Sequence, residues 1–308
     1  MKQSNLYMYH LDNLRRGRKI TVASFCDGIC SDRHYRRLLS GEQNITNNKI
    51  NDFCNKLGIS TKDFYYSANE KDNYEYSKIM KLYLHLCKND LDEFRNELKN
   101  IKRERLISNQ NKRFLEYCLV RYQYMLKKLS DRHCLEQLSL ICNYPINKTY
   151  ASFDFVDIIS LVIIAEIEVK AEKLEALNLL RKILTSKSLV YISSESRHIL
   201  PSIYGTVSIL LSRLEKYEKA SSVANSGIKY SIRHSNFSTL THLYYVMCYT
   251  SFKMNKIARA EQYAAKSIAN AISRGNKLEY KMTYRLIEKN LKVDPLSLFN
   301  YYREHLVE

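Results

Sequence analysis

The chain has 308 residues, of which 45% are hydrophobic and 26% charged, with only 7 Gly and 3 Pro. So apolar a composition excludes a disordered chain, and so few turn residues exclude a sheet protein, which needs them at roughly every tenth position. The formal net charge of +17 suits a polyanionic partner, because neutralising phosphates releases condensed counterions. A generally Lys-rich proteome would give the same surplus, so charge alone does not assign DNA binding.

Met1 to Arg18 holds no apolar core of signal-peptide length, and a cytoplasmic protein is expected. The first predicted helix runs from Leu6 to Arg16, with Leu6, Tyr7, Leu11 and Leu14 on one side and Arg15 and Arg16 at its negative dipole end. After the turn Gly17 to Ile20, Thr21 caps a short helix reaching about Gly28. Ser31 caps a third helix, with Asp32 in its first turn and Gly41 as its left-handed stop. Thr46 opens a fourth, Asn47 to Leu57, that buries Ile50, Phe53, Cys54 and Leu57 and ends at Gly58.

Two short helices joined by a tight turn, the second capped by Ser and rich in Arg, have the helix-turn-helix plan. Tyr35 and Leu38, with Leu39, point inward. Ser31, Asp32, Arg33, His34, Arg36 and Arg37 remain outside, where Arg can pair with guanine in the major groove. Lys19, Thr21 and Asn44 occupy flanking turns suited to phosphates. Residues 1–66 carry eleven Lys or Arg against six Asp or Glu, bunched at 15–19 and 33–37. A basic but merely solvated helix is the plainer alternative.

The run Cys26 to Glu42, followed by Lys49 to Ile59, resembles the Xre/Cro-type DNA-binding domain. It is most similar to the version found in the peptide-pheromone regulators of Gram-positive bacteria, the RRNPP group of Rgg-, PlcR- and PrgX-like proteins. The ending Leu57 to Tyr65 has the same look, while Leu39 departs from the Glu that many such domains carry.

From residue 69 onward helices follow one another in pairs. They are predicted near 72–88 and 91–104, 108–128 and 131–142, 153–171 and 174–186, 197–213 and 217–233, 238–253 and 257–273, and 277–291 and 295–306. Pro145 marks a loop, and Pro295 suits the first turn of the last helix. The most apolar stretch, Phe153 to Val169, is interrupted by Asp154, Asp157, Glu166 and Glu168 and falls short of a membrane span. Leu214 to Ile228 aligns without gaps on Met254 to Ile268, forty residues later, and Ala171 to Leu177 lies forty-three residues before the first copy. This pattern resembles the tetratricopeptide repeat. A generic helical array is the alternative.

The expected fold is therefore all-α: a helix-turn-helix domain over 1–68 and, over 69–308, a tetratricopeptide-like right-handed solenoid that senses a ligand and dimerises. With Ala220 and Ala260 at the repeat's small position, Ser202, Ile209, Ser212 and Arg213 face inward on one repeat. On the next, His242, Tyr245, Tyr249, Phe252 and Lys253 do so. Tyrosine, present 25 times without a single Trp, is an amphipathic contact residue suited to gripping a peptide, although it also packs well between helices. The RRNPP resemblance implies a short linear peptide in the concave groove and a homodimer on a two-fold DNA operator. It also directs attention to Asn109 and Asn111, with Arg121 and Tyr124 further along the same helix.

No cofactor, metal or membrane partner is expected. The eight cysteines are scattered; the closest pair, Cys26 and Cys30, has no second pair to complete a zinc site, so cysteines are read as apolar fillers. The eight histidines are dispersed, and no phosphate loop or nucleophile elbow appears. An enzyme is not expected. The remaining rival is a helix-turn-helix regulator whose repeats are a dimerisation scaffold or a sensor of a small molecule or protein.

Overall fold

A computed structural model of the chain describes residues 3–101, 109–145, 153–185, 199–275 and 277–305. Its regular elements there are seventeen α-helices. The first five are α1 (Gln3–Gly17), α2 (Val22–Cys26), α3 (Asp32–Ser40), α4 (Asn47–Leu57) and α5 (Thr61–Ala68). Next come α6 (Glu70–Cys87), α7 (Leu91–Leu98), α8 (Asn109–Met125), α9 (Asp131–Cys142), α10 (Phe155–Lys170) and α11 (Glu175–Thr185). The chain continues with α12 (Ile199–Arg213), α13 (Tyr217–Arg233), α14 (Leu240–Lys253), α15 (Ile257–Ser273), α16 (Lys277–Leu291) and α17 (Pro295–His305). The helix expected over 91–104 is shorter: α7 ends at Leu98, residues 99–101 are not helical, and 102–104 lie outside the described residues.

In α2–α5, side-chain caps set the helix starts. Thr21, Ser31, Thr46 and Ser60 accept the backbone N–H of Ser24, His34, Lys49 and Asp63 at 3.2, 3.3, 3.4 and 3.0 Å. Gly41 and Gly58, with φ of 81° and 61°, stop α3 and α4. Helix α5 is absent from the sequence reading, although its signal is present: Ser60 caps it and donates to the Asp63 carboxylate at 2.6 Å. Met8, Leu11, Phe25, Tyr35, Leu38, Ile50, Phe53, Leu57 and Phe64 form one buried core, against which partly buried residues as far as Ala68 pack.

The later helices turn by a different device. Asn89, Lys127, Glu172, Glu215 and Asn255 all take a left-handed backbone, with φ between 57° and 61°. After each, the next residue donates its N–H at 2.9 Å to the carbonyl five positions earlier: Asp90 to His85, Lys128 to Gln123, Lys173 to Glu168, Lys216 to Leu211, and Lys256 to Ser251. This Schellman closure ends α6, α8, α10, α12 and α14. The last three corners lie forty-three and then forty residues apart, matching the spacing of the repeated sequence.

Tertiary contacts divide the chain into two compact units, Met1–Cys118 and Leu119–Glu308. The first holds α1–α7 together with the start of α8, so its limit lies well beyond the expected boundary after residue 68. Within the second unit, α10, α12, α14 and α16 pack successively on one another as well as on the helices between them. They therefore form its tighter, inner side. Small residues permit this: Ala220, Ala224, Ala260 and Ala264 are completely buried. A Cβ on Gly227 of α13 would stand 2.6 Å from the Tyr204 Cβ of α12, so glycine is required for that approach. Among the described residues no helix is long and apolar enough to cross a membrane.

Candidate functional site

Helices α1 and α3 are held together by a buried charge network. The Asp12 carboxylate, on α1, accepts hydrogen bonds from Tyr35 Oη at 2.9 Å and from Arg15 Nε and Nη2 at 2.9 and 2.8 Å. Arg16 Nε stands 2.7 Å from its second oxygen. Burial works to raise the Asp12 pKa, but the hydrogen bonds from Arg15 and Tyr35 and the charges of Arg15 and Arg16 prevail and hold it below the usual carboxylate range. Arg15 also donates to the Ile20 carbonyl, and Arg18 to that of Leu57.

Much of the basic run at 15–19 therefore serves the fold. Arg15 is buried, Arg16 and Arg18 have protein partners, and Lys19 is exposed with a left-handed backbone (φ 56°).

On α3 the expected division of faces is observed. Tyr35 and Leu38 are buried and Leu39 is half-buried, whereas Ser31, Asp32, Arg33, Arg36 and Arg37 are exposed. Arg37 is only 3.9 Å from Glu42, a loose surface pair. His34 is half-buried, and Lys49 Nζ donates to its Nε2 at 2.7 Å, so this imidazole is tied to α4. Thr21 and Ser31 are exposed, with their hydroxyls serving as caps, and Asn44 is exposed between α3 and α4. The surface of α3 thus presents three arginines on a rigidly supported short helix. Such a surface can enter a major groove and pair with phosphates and guanine edges.

The inner helices of the second unit bring together part of the other predicted set. His242 keeps 57% of its side-chain surface open to water. Burial nevertheless lowers its pKa, against the opposing charge of Glu279. Half-buried Tyr245 and Tyr249 follow on α14, their rings 6.4 Å apart, with Lys253 Nζ 5.5 Å from the Tyr249 ring centre. Asn290 of α16 donates to Tyr245 Oη at 2.9 Å, so two inner helices meet at this tyrosine. Arg213, at the end of α12, is exposed.

Other predicted residues are placed differently. Ser212 is buried: the register that exposes Arg213 turns its neighbour into the packing. The Tyr124 hydroxyl donates to Asp131 at 2.6 Å and accepts from Lys170 at 3.1 Å, while Lys170 also reaches Asp131 at 2.9 Å. This tyrosine links α8, α9 and α10. Asn109 is exposed at the start of α8, remote along the helix from half-buried Arg121, and Asn111 is buried.

Glu166 is the residue missed. Burial raises its carboxyl pKa, and the charges of Arg121, Arg213 and Lys170 oppose the rise, so it stands among cations from α8, α10 and α12. In the sequence it reads only as an interruption of an apolar helix. The available signal was the four-residue step Val162, Glu166, Lys170, the non-buried line of α10.

No protein-family model matches the sequence, and no curated protein matches it. Solved structures do. The structure of PlcR from Bacillus thuringiensis in complex with the peptide PapR7 and DNA aligns over 92% of this chain and 99% of that one, with a TM-score of 0.70 and 18% identity. ComR from S. thermophilus, in complex with DNA and its signalling peptide ComS, aligns over 90% and 97%, with a TM-score of 0.62 and 10% identity. The SHP pheromone receptor Rgg2 of Streptococcus dysgalactiae aligns over 92% and 99%, with a TM-score of 0.59 and 14% identity. Over at least nine-tenths of its length the chain has the fold of these RRNPP-type regulators.

Proposed function

We propose that the chain is a cytoplasmic, DNA-binding transcription regulator whose helical repeats bind a short linear peptide that modulates DNA binding. One observation carries this reading. The fold runs nearly end to end through PlcR, whose structure holds both a peptide and DNA, and here the corresponding architecture pairs an arginine-bearing α3 with inner helices that carry paired tyrosines. In this reading the head is 1–68, the sensing and dimerising domain is 69–308, and no catalysis is involved. A homodimer would set two α3 helices on half-sites about 34 Å apart or a multiple of that.

The contacts divide by role. Arg33, Arg36 and Arg37 reach bases or phosphates; Lys19, Thr21 and Asn44 border the backbone; Tyr245, Tyr249, His242, Arg213 and Glu166 line the ligand surface. Gel-shift titration against the DNA upstream of the protein's own gene, with and without short peptides encoded beside it, tests the whole. Specific binding altered by one peptide at micromolar concentration or below is expected. Binding indifferent to every peptide would favour a scaffold or small-molecule sensor, and absence of binding after genome-wide operator selection would end the DNA reading. Replacing Arg36 and Arg37 by Ala should remove about 1–3 kcal/mol of operator affinity per base-contacting arginine.

A further inference from the structure

Cys26 and Cys30 bracket the turn of the helix-turn-helix, and the function proposed above makes no use of either. Cys26 closes α2 and is buried, whereas Cys30 is partly exposed and immediately precedes Ser31, the cap of α3. Gly28, at φ +74°, reverses the chain between them. As a result the Cys26 carbonyl accepts both the Ile29 N–H at 2.9 Å and the Cys30 N–H at 3.0 Å. The backbone thus folds residue 30 back beside residue 26, one turn on. Of the other six cysteines, five are buried and Cys87 is exposed.

We propose that Cys26 and Cys30 are a redox-active dithiol, which a peroxide converts into an intramolecular disulfide across the turn. The chemistry has a direction. Burial first, and then the neighbouring Cys30, pushes the Cys26 thiol up to about 12, so Cys26 is not the first nucleophile. The accessible Cys30 sulfur, as its thiolate, attacks one peroxide oxygen: an S–O bond forms, the O–O bond breaks, and the departing hydroxide takes up a proton to leave as water. Cys26 then attacks the Cys30 sulfenic acid. The S–S bond forms, the S–O bond breaks, and the second water carries away the Cys26 proton. The two thiols lose two electrons and the peroxide gains them. A thiol reductant reverses the change by exchange.

The consequence for DNA rests on the regulator reading; the thiol chemistry does not. A bond drawing Cys30 toward the core displaces Ser31 and with it the start of α3, the part expected at the major groove. Cys26 and Cys30 lie together between Lys19 and Arg33, so both fall on one tryptic peptide.

The test treats the full-length folded protein with stoichiometric hydrogen peroxide, unfolds it in an alkylating agent and digests it with trypsin. Peptide 20–33 should lack two hydrogens and resist alkylation, and pretreatment with dithiothreitol should restore two alkylatable thiols. Cys30→Ser, a change at a partly exposed site, should leave Cys26 alkylated throughout, with Cys26→Ala as the complementary variant. The proposal is overturned if peptide 20–33 stays doubly alkylated after peroxide. It is equally overturned if Cys30 is oxidised to its sulfinic acid while Cys26 remains free, or if the bond links two copies of the peptide. Oxidised protein should bind its operator roughly tenfold more weakly. An intact disulfide with unchanged operator affinity would remove its gating role, while a protein that binds no DNA in either state would sink the regulator reading and leave the mass result standing.

Discussion

The five-helix head and the later repeats, α13 to α15, are built in contrasting ways. In the head, side chains begin the helices: Thr21, Ser31, Thr46 and Ser60 each satisfy an orphan N–H, and a buried carboxylate gathers α1 and α3 around itself. In the array α13, α14 and α15 have no side-chain cap bond, and the main chain ends the inner helices through the recurring left-handed corner. A head built on named side chains is brittle at a few positions. An array built on main-chain corners and small residues spreads its dependence more evenly.

The largest expected effect falls in the head. Asp12→Ala should cost about 3 kcal/mol, because it strands buried Arg15 without its carboxylate; chemical denaturation of the full chain would read it. A loss below about 0.5 kcal/mol would show the network to be ornamental, and the contrast with the array would fail. The same network predicts an acid response. The folded pKa of Asp12 is depressed, so its stabilisation is complete above the unfolded value, about 4, and disappears as pH falls through the lower folded value. Asp12→Asn should flatten the stability-versus-pH slope below about pH 4; an unchanged slope would place the acid sensitivity elsewhere.

In the array the strongest single test is the α12–α13 approach. Gly227→Ala should cost about 1–3 kcal/mol through overpacking against Tyr204, measured as a lowered denaturant midpoint. Tyr249→Ala sharpens the functional side of the contrast. It should weaken peptide binding while leaving peptide-free DNA affinity as it was, and equal loss of both would make this ring part of the core. The smallest effect is a gain: Glu215→Gly should stabilise the array by about 0.5 kcal/mol, because glycine takes a left-handed corner without the Cβ penalty. A loss of stability there would mean that the Glu215 side chain contributes more than its backbone costs.

This contrast also explains what could be read in advance. Caps and glycine stops are local, so α2, α3 and α4 and the inward turn of Tyr35 and Leu38 were legible from residue types alone. The Asp12 network was not, since it joins positions 12 and 35 that only tertiary structure brings together. It also turned Arg15 from an expected cation of the basic surface into a buried structural one. In the array, the forty-residue self-similarity gave the repeats, but corners occupied by Lys127 and Glu172 carry no glycine to announce them. The side-chain register on α12 therefore slipped at Ser212. Glu166 was hidden for another reason: hydropathy ranks it as a blemish in a core helix, and two of its three cationic neighbours, Arg121 and Arg213, come from other parts of the chain.

The left-handed corner has a historical consequence. Asn89, Lys127, Glu172, Glu215 and Asn255 perform the same task with three different residue types, because the hydrogen bonds that matter belong to the peptide groups. Selection acting on such a corner preserves a path and hardly notices a letter. An array assembled this way can exchange most of its alphabet over evolutionary time while its course through space persists, so its ancestry is recorded in backbone geometry long after spelling has ceased to show it.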